Sequence, residues 1–388
     1  MRIPLSSPDV AEADIEAVVR VLRTPRLSLG PKLEEFEAAA ANYTGVPYAV
    51  ALSSGTAGLH LGLAALGIGE GDEVILPSFT FIAVAHAVLY LRATPVFADI
   101  DPLTLNLTAE SVAKAITPRT RAIIVVHTFG CPADLDPILD VAARHGVHVI
   151  EDACEALGAE YRGRQIGGIG DVGVFGFYPN KPITTGEGGM VVTGDRQLAD
   201  AMRALRNQGR RPADGWLDHA LVGYNYRLSD INCALGISQM SRIESILAQR
   251  ADRAAVYREH LRTIPELTLP VFEIAAGRVC WFVFVVRLAA HFTLEDRDGI
   301  VAYMAARGIA CGRYFAPVHL QPLYAAYAGR RRHLPVTEHV APRTLALPFF
   351  NRLTDDQIAE VCLTLREAID AVAHTADGHP NSTAEARQ

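Results

Sequence analysis

From about residue 46 the chain alternates short runs of apolar, often β-branched residues with longer stretches whose apolar positions recur every three or four residues. The short runs Tyr48–Leu52, Glu73–Leu76, Val96–Ile100, Ala122–Val126 and Val147–Ile150 read as buried strands. Between several of them, Ala57–Leu66, Ala83–Leu91, Ala109–Ile116 and Asp136–His145 carry helical spacing. Strands alternating with helices predict a mainly parallel sheet covered on both faces, because each parallel pair needs a crossover that packs back on the sheet. An apolar run, 174–177, then leads into a loop rich in glycine and proline, and Gly189–Thr193 reads as the strand that leaves it.

After this the pattern changes. Residues 229–262 form one long amphipathic stretch, opened by Ser229-Asp230 and carrying Ile231, Leu235, Ile243 and Ile246. A strand (Trp281–Leu288), a helix (Leu294–Arg307), an irregular segment and a final helix (Thr354–Ala373) follow. The predicted fold is α/β: a large domain over residues 1–250, including the N-terminal segment, and a smaller C-terminal α+β domain over 251–373. Residues 374–388 lack apolar pattern and are expected to be a disordered tail.

Composition narrows the function classes. Half of the 388 residues are apolar, enough for a large buried core. The formal charge of −7 argues against a nucleic-acid-coating surface. Six scattered cysteines without a CxxC pair indicate neither a disulfide framework nor a zinc site, so no metal is expected. The first residues carry prolines and acids where a secretion signal needs an apolar run, and no stretch of 18 apolar residues predicts a membrane span. The expectation is a soluble, cytoplasmic protein.

Candidate chemistry begins with a lysine. Only three of the 36 basic residues are lysines, and Lys32 and Lys114 lie in polar, helix-like stretches. Lys181 instead sits on the loop after the 174–177 run, followed by Pro182 and the segment Gly186-Glu187-Gly188-Gly189. A lysine held on a loop at a strand edge suits Schiff-base chemistry, which needs an amine fixed in place and able to lose its proton. Upstream, Ser53-Ser54-Gly55-Thr56-Ala57-Gly58 joins a strand to a helix. Such a turn offers free N–H groups and the hydroxyls of Ser54 and Thr56 to an anion, or simply caps the helix. Asp152 follows a buried strand at its carboxyl end, where ligands gather in doubly wound sheets. It could pair with a protonated ring nitrogen, cap the next helix, or act as a general acid. Together these segments outline a phosphate cup, a pyridinium partner and a Schiff-base lysine. Gly168–Gly173 matches GxGxxG by letter but precedes a strand, so a nicotinamide site is rejected.

The segments SSGTAGLHL, GDEVILPSFTFIA, ATPVFADID, EDACEALGAEY, FYPNKPITTGEGGMVVT, LVGYNYRLSDINCALG and LALPFFN together resemble the DegT/DnrJ/EryC1/StrS family of pyridoxal-phosphate sugar aminotransferases, of fold type I. The resemblance spans nearly the whole chain and implies pyridoxal 5′-phosphate as cofactor. It implies that Lys181 carries the cofactor and moves the proton, and that Asp152 pairs with its ring nitrogen. Phe81 would stack on the ring, Ser54, Gly55, Thr56 and Ala57 would hold the phosphate, and Glu155 would contact the phenolic oxygen. Asn225 would reach the neighbouring subunit's cofactor phosphate in a homodimer with shared sites. The substrates implied are a keto-sugar nucleotide and an amino-acid donor, glutamate. Amination of a keto-cyclitol and a non-catalytic regulatory protein are the alternatives. His319 and Arg330, the latter in an Arg330–Arg332 cluster, are candidates for the sugar or diphosphate. Two departures stand out: Gly176 occupies the place where the family commonly has a phosphate-binding serine, and Glu155 stands where glutamine or histidine is more usual, which resembles the perosamine-synthase-like members.

Overall fold

The computed structural model describes residues 2–211, 218–274, 277–327 and 333–376. Two helices, α1 (Glu12–Leu22) and α2 (Pro31–Thr44), precede β1 (Tyr48–Leu52). The alternating pattern then appears as α3 (Gly55–Ala65), β2 (Glu73–Pro77), α4 (Ala83–Tyr90), β3 (Thr94–Ala98), α5 (Ala109–Ala115), β4 (Thr120–Val126), α6 (Leu135–His145) and β5 (His148–Asp152). Two short strands, β6 (Glu160–Tyr161) and β7 (Arg164–Gln165), lead to β8 (Val172–Gly176), β9 (Gly189–Thr193) and α7 (Arg196–Arg206).

The central sheet has seven strands in the order β1-β9-β8-β5-β4-β2-β3. The pairs β2–β3, β2–β4, β4–β5 and β5–β8 are parallel, and only β9 runs against the rest, between β8 and β1. Side-chain alternation divides the core cleanly. Ala49, Ala51, Ile75, Ile123, Val125 and Val149 face a layer containing α2, α5, α6 and later helices. Val50, Leu52, Ile124, Val126, Ile150 and Val174 face α3, α4 and α7. Burial on both faces is what a near-continuous apolar strand requires.

The stretch expected as one helix over 229–262 is two, α8 (Asp230–Met240) and α9 (Ile243–Leu261). The intervening turn puts Arg242 2.8 Å from Asp14 and against the carbonyl of Asp9, a tertiary demand invisible to apolar periodicity. Helix α9 links the two cores. Ile243, Ile246 and Leu247 belong to the larger, Ala254, Tyr257 and Leu261 to the smaller, so the expected boundary at residue 250 falls inside one helix. The smaller core surrounds a second sheet in which β12 (Phe284–Leu288) lies between β10 (Leu267–Thr268) and β13 (Thr344–Leu347). A further short strand, β11 (Gly277–Arg278), pairs with β6. Helices α10 (Leu294–Ala306) and α12 (Asp355–Ala376) cover this core, and Ile3 from the N-terminal segment also packs in it. A short helix, α11 (Pro335–Val340), lies before β13. The α12 helix runs three residues past its expected end, and the rest of the expected tail lies outside the described residues. The strand expected over 281–288 begins only at Phe284, because the backbone of 280–282 is engaged elsewhere.

Candidate active site

The parallel strands release their chains at one edge of the sheet, where the turn after β1, the end of β5 and the β8–β9 loop meet. A cavity of about 410 Å³ opens there, lined by Ser54, Gly55, Thr56, Phe81, Asp152, Glu155, Gly176 and Lys181 among others. That volume lies within the range of small-molecule sites. Its charged lining residues are Lys181 and three carboxylates: Asp152, Glu155 and Glu187.

Ser54 caps α3: its Oγ accepts the Ala57 N–H at 3.1 Å. The cap and the anion seat coexist, because the N–H groups of a helix's first turn have no partner within the helix, and Gly55 and Thr56 both line the cavity. Close packing explains the glycines. A Cβ on Gly55 would stand 2.7 Å from Cys154 Sγ, and one on Gly189 would stand 2.3 Å from the Ser54 backbone. Gly176 is different: a Cβ there meets only ordinary contacts, 3.4–4.0 Å, with Cys154 and Gly55.

Neighbouring residues of β5 point to opposite faces. Asp152 faces the cavity, where its Oδ1 accepts the Cys154 N–H at 3.1 Å. Burial pushes the Cys154 thiol well up, and the Asp152 charge pushes it further. Glu151, on the other face, is fully buried. It accepts N–H groups from Gly167, Ile169 and Gly170 at 2.7–2.8 Å and faces His127 Nε2 at 3.2 Å. The segment that imitates a nucleotide fingerprint thus gives N–H groups, from Ile169 and Gly170, to a carboxylate of the protein itself.

Lys181 Nζ lies 3.7 Å from Glu155 Oε1 and 3.9 Å from the centre of the Phe282 ring. The loop that carries it is fixed at its base, where Phe177 O accepts the Thr185 N–H and the Thr184 hydroxyl, each at 3.0 Å. Glu155 Oε2 accepts the Phe129 N–H at 2.9 Å. Burial raises the Glu155 pKa, and the Lys181 charge only partly offsets it.

The structure thus gathers Ser54, Gly55, Thr56, Phe81, Asp152, Glu155 and Lys181 around one cavity. Phe81 stands at its rim, 60% exposed. Three expected residues lie away from the lining. Ala57 is buried in the α3 core, its N–H spent on the cap. Asn225 is exposed and bridges to Asn207. His319 is buried, with Nδ1 2.6 Å from Ser78 Oγ and Nε2 3.2 Å from Glu338 Oε1, so both its nitrogens are engaged in packing the fold. Arg330 lies outside the described residues. The sequence reading also missed the aromatic wall, Phe282, Tyr314 and Phe315, which reaches the cavity from the C-terminal part of the chain. No motif marks those residues, and aromatics among apolar neighbours read as core.

The family model for the DegT/DnrJ/EryC1/StrS aminotransferases matches residues 8–366. The chain belongs to that family. It is 41% identical over 369 residues to a GDP-perosamine synthase of Caulobacter vibrioides, covering 95% of this chain and 98% of the relative. Among solved structures, DesV of S. venezuelae shares 40% identity with a TM-score of 0.86, covering 92% of this chain and 94% of DesV. The PMP-form of Spr1654 from Streptococcus pneumoniae superposes with a TM-score of 0.92 at 27% identity, covering 97% and 100% of the two chains.

As a DegT/DnrJ/EryC1/StrS aminotransferase the protein is a pyridoxal-phosphate-dependent transaminase acting on sugars. The residues present suit that cofactor. The cavity combines a helix N-terminus for a phosphate, a buried carboxylate for a pyridinium nitrogen and a fixed amine, and an aromatic side chain stands at its rim. Among the described residues no group of His, Cys, Asp and Glu could hold a metal, and no helix is long and apolar enough to cross a membrane.

Proposed function

We propose that the enzyme transfers an amino group from glutamate to a nucleotide-linked keto-deoxysugar. The reading rests on one observation: Lys181, Asp152 and the open first turn of α3 line a single cavity, with Glu155 beside the lysine. The relationship to a GDP-perosamine synthase supports a sugar nucleotide as acceptor.

The bound cofactor supplies an electron sink for proton shifts at the carbon bearing nitrogen. In this reading the protein's groups do the rest. Lys181 holds the cofactor and, once released, carries the proton between the two carbons concerned. Asp152, a buried carboxylate, keeps the ring nitrogen protonated. Gly55 and Thr56 seat the phosphate, Phe81 covers the ring, and Glu155 contacts the phenolic oxygen. Among the described residues of one chain no arginine lines the cavity. A homodimer whose second chain brings Asn225 to a shared site would add a donor for the phosphate.

The test has two halves. Glutamate should bleach the visible absorbance of the loaded enzyme, and a keto-sugar nucleotide should then restore it. No change with any amino donor overturns the aminotransferase reading. Restoration by keto-cyclitols alone overturns the sugar-nucleotide reading. Mixing Lys181→Ala with Asn225→Ala protein should recover activity if the sites are shared.

A further inference from the structure

Arg250, midway along α9, is 3% exposed, and among the described residues it makes no ion pair with a carboxylate. Burying a guanidinium without a counter-ion is costly. Burial pulls its pKa down to about 10, and the charges of Cys280 and Asp9 only partly offset it. All of its named hydrogen-bond partners are neutral. Nε donates to Trp281 O at 2.5 Å, Nη2 to Phe282 O at 2.7 Å and Nη1 to Asn351 Oδ1 at 2.8 Å. Asn351 is itself fixed by donating to Ile246 O at 3.0 Å, and the guanidinium lies 4.9 Å from the Phe349 ring centre. Two residues of the LALPFFN segment, Phe349 and Asn351, thus help to seat this arginine.

The backbone that Arg250 grips bears directly on the lysine. Phe282 is the ring under Lys181 Nζ. The same segment is pinned from its other side, where Cys280 donates to Gly130 O at 2.9 Å. A Cβ on Gly130 would fall 1.5 Å from Cys280 O, so that approach is open only to glycine, and Gly130 also has a φ of +87°. Phe129, next to Gly130, is the residue whose N–H holds Glu155. Both neighbours of the lysine nitrogen, the ring and the carboxylate, thus hang on one junction between the two cores, and Arg250 is its buried clamp.

We propose that Arg250 is a positioning residue for Lys181, holding Trp281 and Phe282 so that the Phe282 ring keeps the free lysine amine in place. The proposal rests on the reading of Lys181 as the cofactor-bearing amine. A cation above an aromatic face is held by the ring quadrupole, so moving the ring releases the amine. The guanidinium fork matches two adjacent carbonyls and a side-chain amide, a set that lysine's single ammonium cannot span.

The experiment mixes apo protein with pyridoxal phosphate and follows capture by absorbance. In this step the Lys181 amine condenses with the cofactor aldehyde: C=N forms, and the aldehyde oxygen leaves as water. Phe282→Leu and Arg250→Gln should each slow capture by about tenfold, while the Kd for pyridoxamine phosphate, which makes no bond to lysine, stays within about twofold. The double variant should be no slower than either single one, because Arg250 acts through Phe282. Arg250→Lys should recover part of the rate and takes the place of Arg250→Gln if that variant does not fold. Additive losses, unchanged capture, or pyridoxamine phosphate affinity that falls in step with capture would each overturn the proposal. Lys181→Ala separates the two readings: if it still captures cofactor covalently, the lysine assignment fails whatever Arg250 does.

Discussion

Glu151 and Asp152 are consecutive acids on one strand, yet their surroundings differ in kind. On the Glu151 face the carboxylate is saturated by three backbone N–H groups and an imidazole. On the Asp152 face one backbone N–H contacts the carboxylate, and the side chain borders a cavity. A buried carboxylate whose lone pairs are all taken holds the loop that took them. One with capacity left over is available to a ligand. The contrast separates architecture from chemistry within two residues, where composition treats them alike.

Five experiments break or sharpen it. The largest effect belongs to the cavity face: Lys181→Ala should cut turnover by at least about 10⁴-fold while far-UV circular dichroism stays unchanged. Asp152→Asn should lower turnover by about 10²–10³-fold at nearly constant melting temperature. On the other face, Glu151→Gln should cost about 1–3 kcal/mol in denaturant unfolding and leave the turnover of folded molecules largely intact, because it strips acceptors from buried N–H groups. A reversal of these two outcomes would erase the distinction.

The fourth experiment uses pH. For Glu151 burial pushes the pKa up, but the hydrogen bonds from His127 and the loop outweigh it, and the net value lies below 4.5. Its stability contribution is therefore full above that pH and is lost as pH falls through the lowered value. Glu155 has the opposite sign: its pKa is raised above 4.5, so its contribution is present below that pH and is lost as pH rises through the raised value. Melting curves of apo protein should show the Glu151→Gln penalty shrinking on acidification, and Glu155→Gln gaining on wild type as pH rises. The smallest effect is at Gly176. Gly176→Ser fits the space described and should tighten cofactor retention by about 0.5–1.5 kcal/mol, read as the Kd for pyridoxal phosphate.

Much of the site was legible because its chemistry sits at strand ends. Tyr48–Leu52 and Gly189–Thr193 match the observed strands residue for residue; the Ser54 turn follows β1, Asp152 ends β5 and Lys181 lies on the loop after β8. What escaped was tertiary in origin. The Ser241-Arg242 turn contains neither glycine nor proline, and its reason is a pairing with Asp14. Phe282 reads as one more strand residue until Arg250 is seen gripping its carbonyl. His319 has the chemistry of a ligand, and its hydrogen bonds to Ser78 and Glu338 become visible only in the fold.

The place of β1 in the sheet carries a consequence for biosynthesis. Among the described residues it is an edge strand with one neighbour, β9, about 140 residues further along the chain. As the protein leaves the ribosome, residues 48–52 have no strand to pair with until Gly189–Thr193 has emerged. By then the lysine loop has been made too. The anion seat and the amine can therefore be brought together only late, so a half-made chain lacks the joined site.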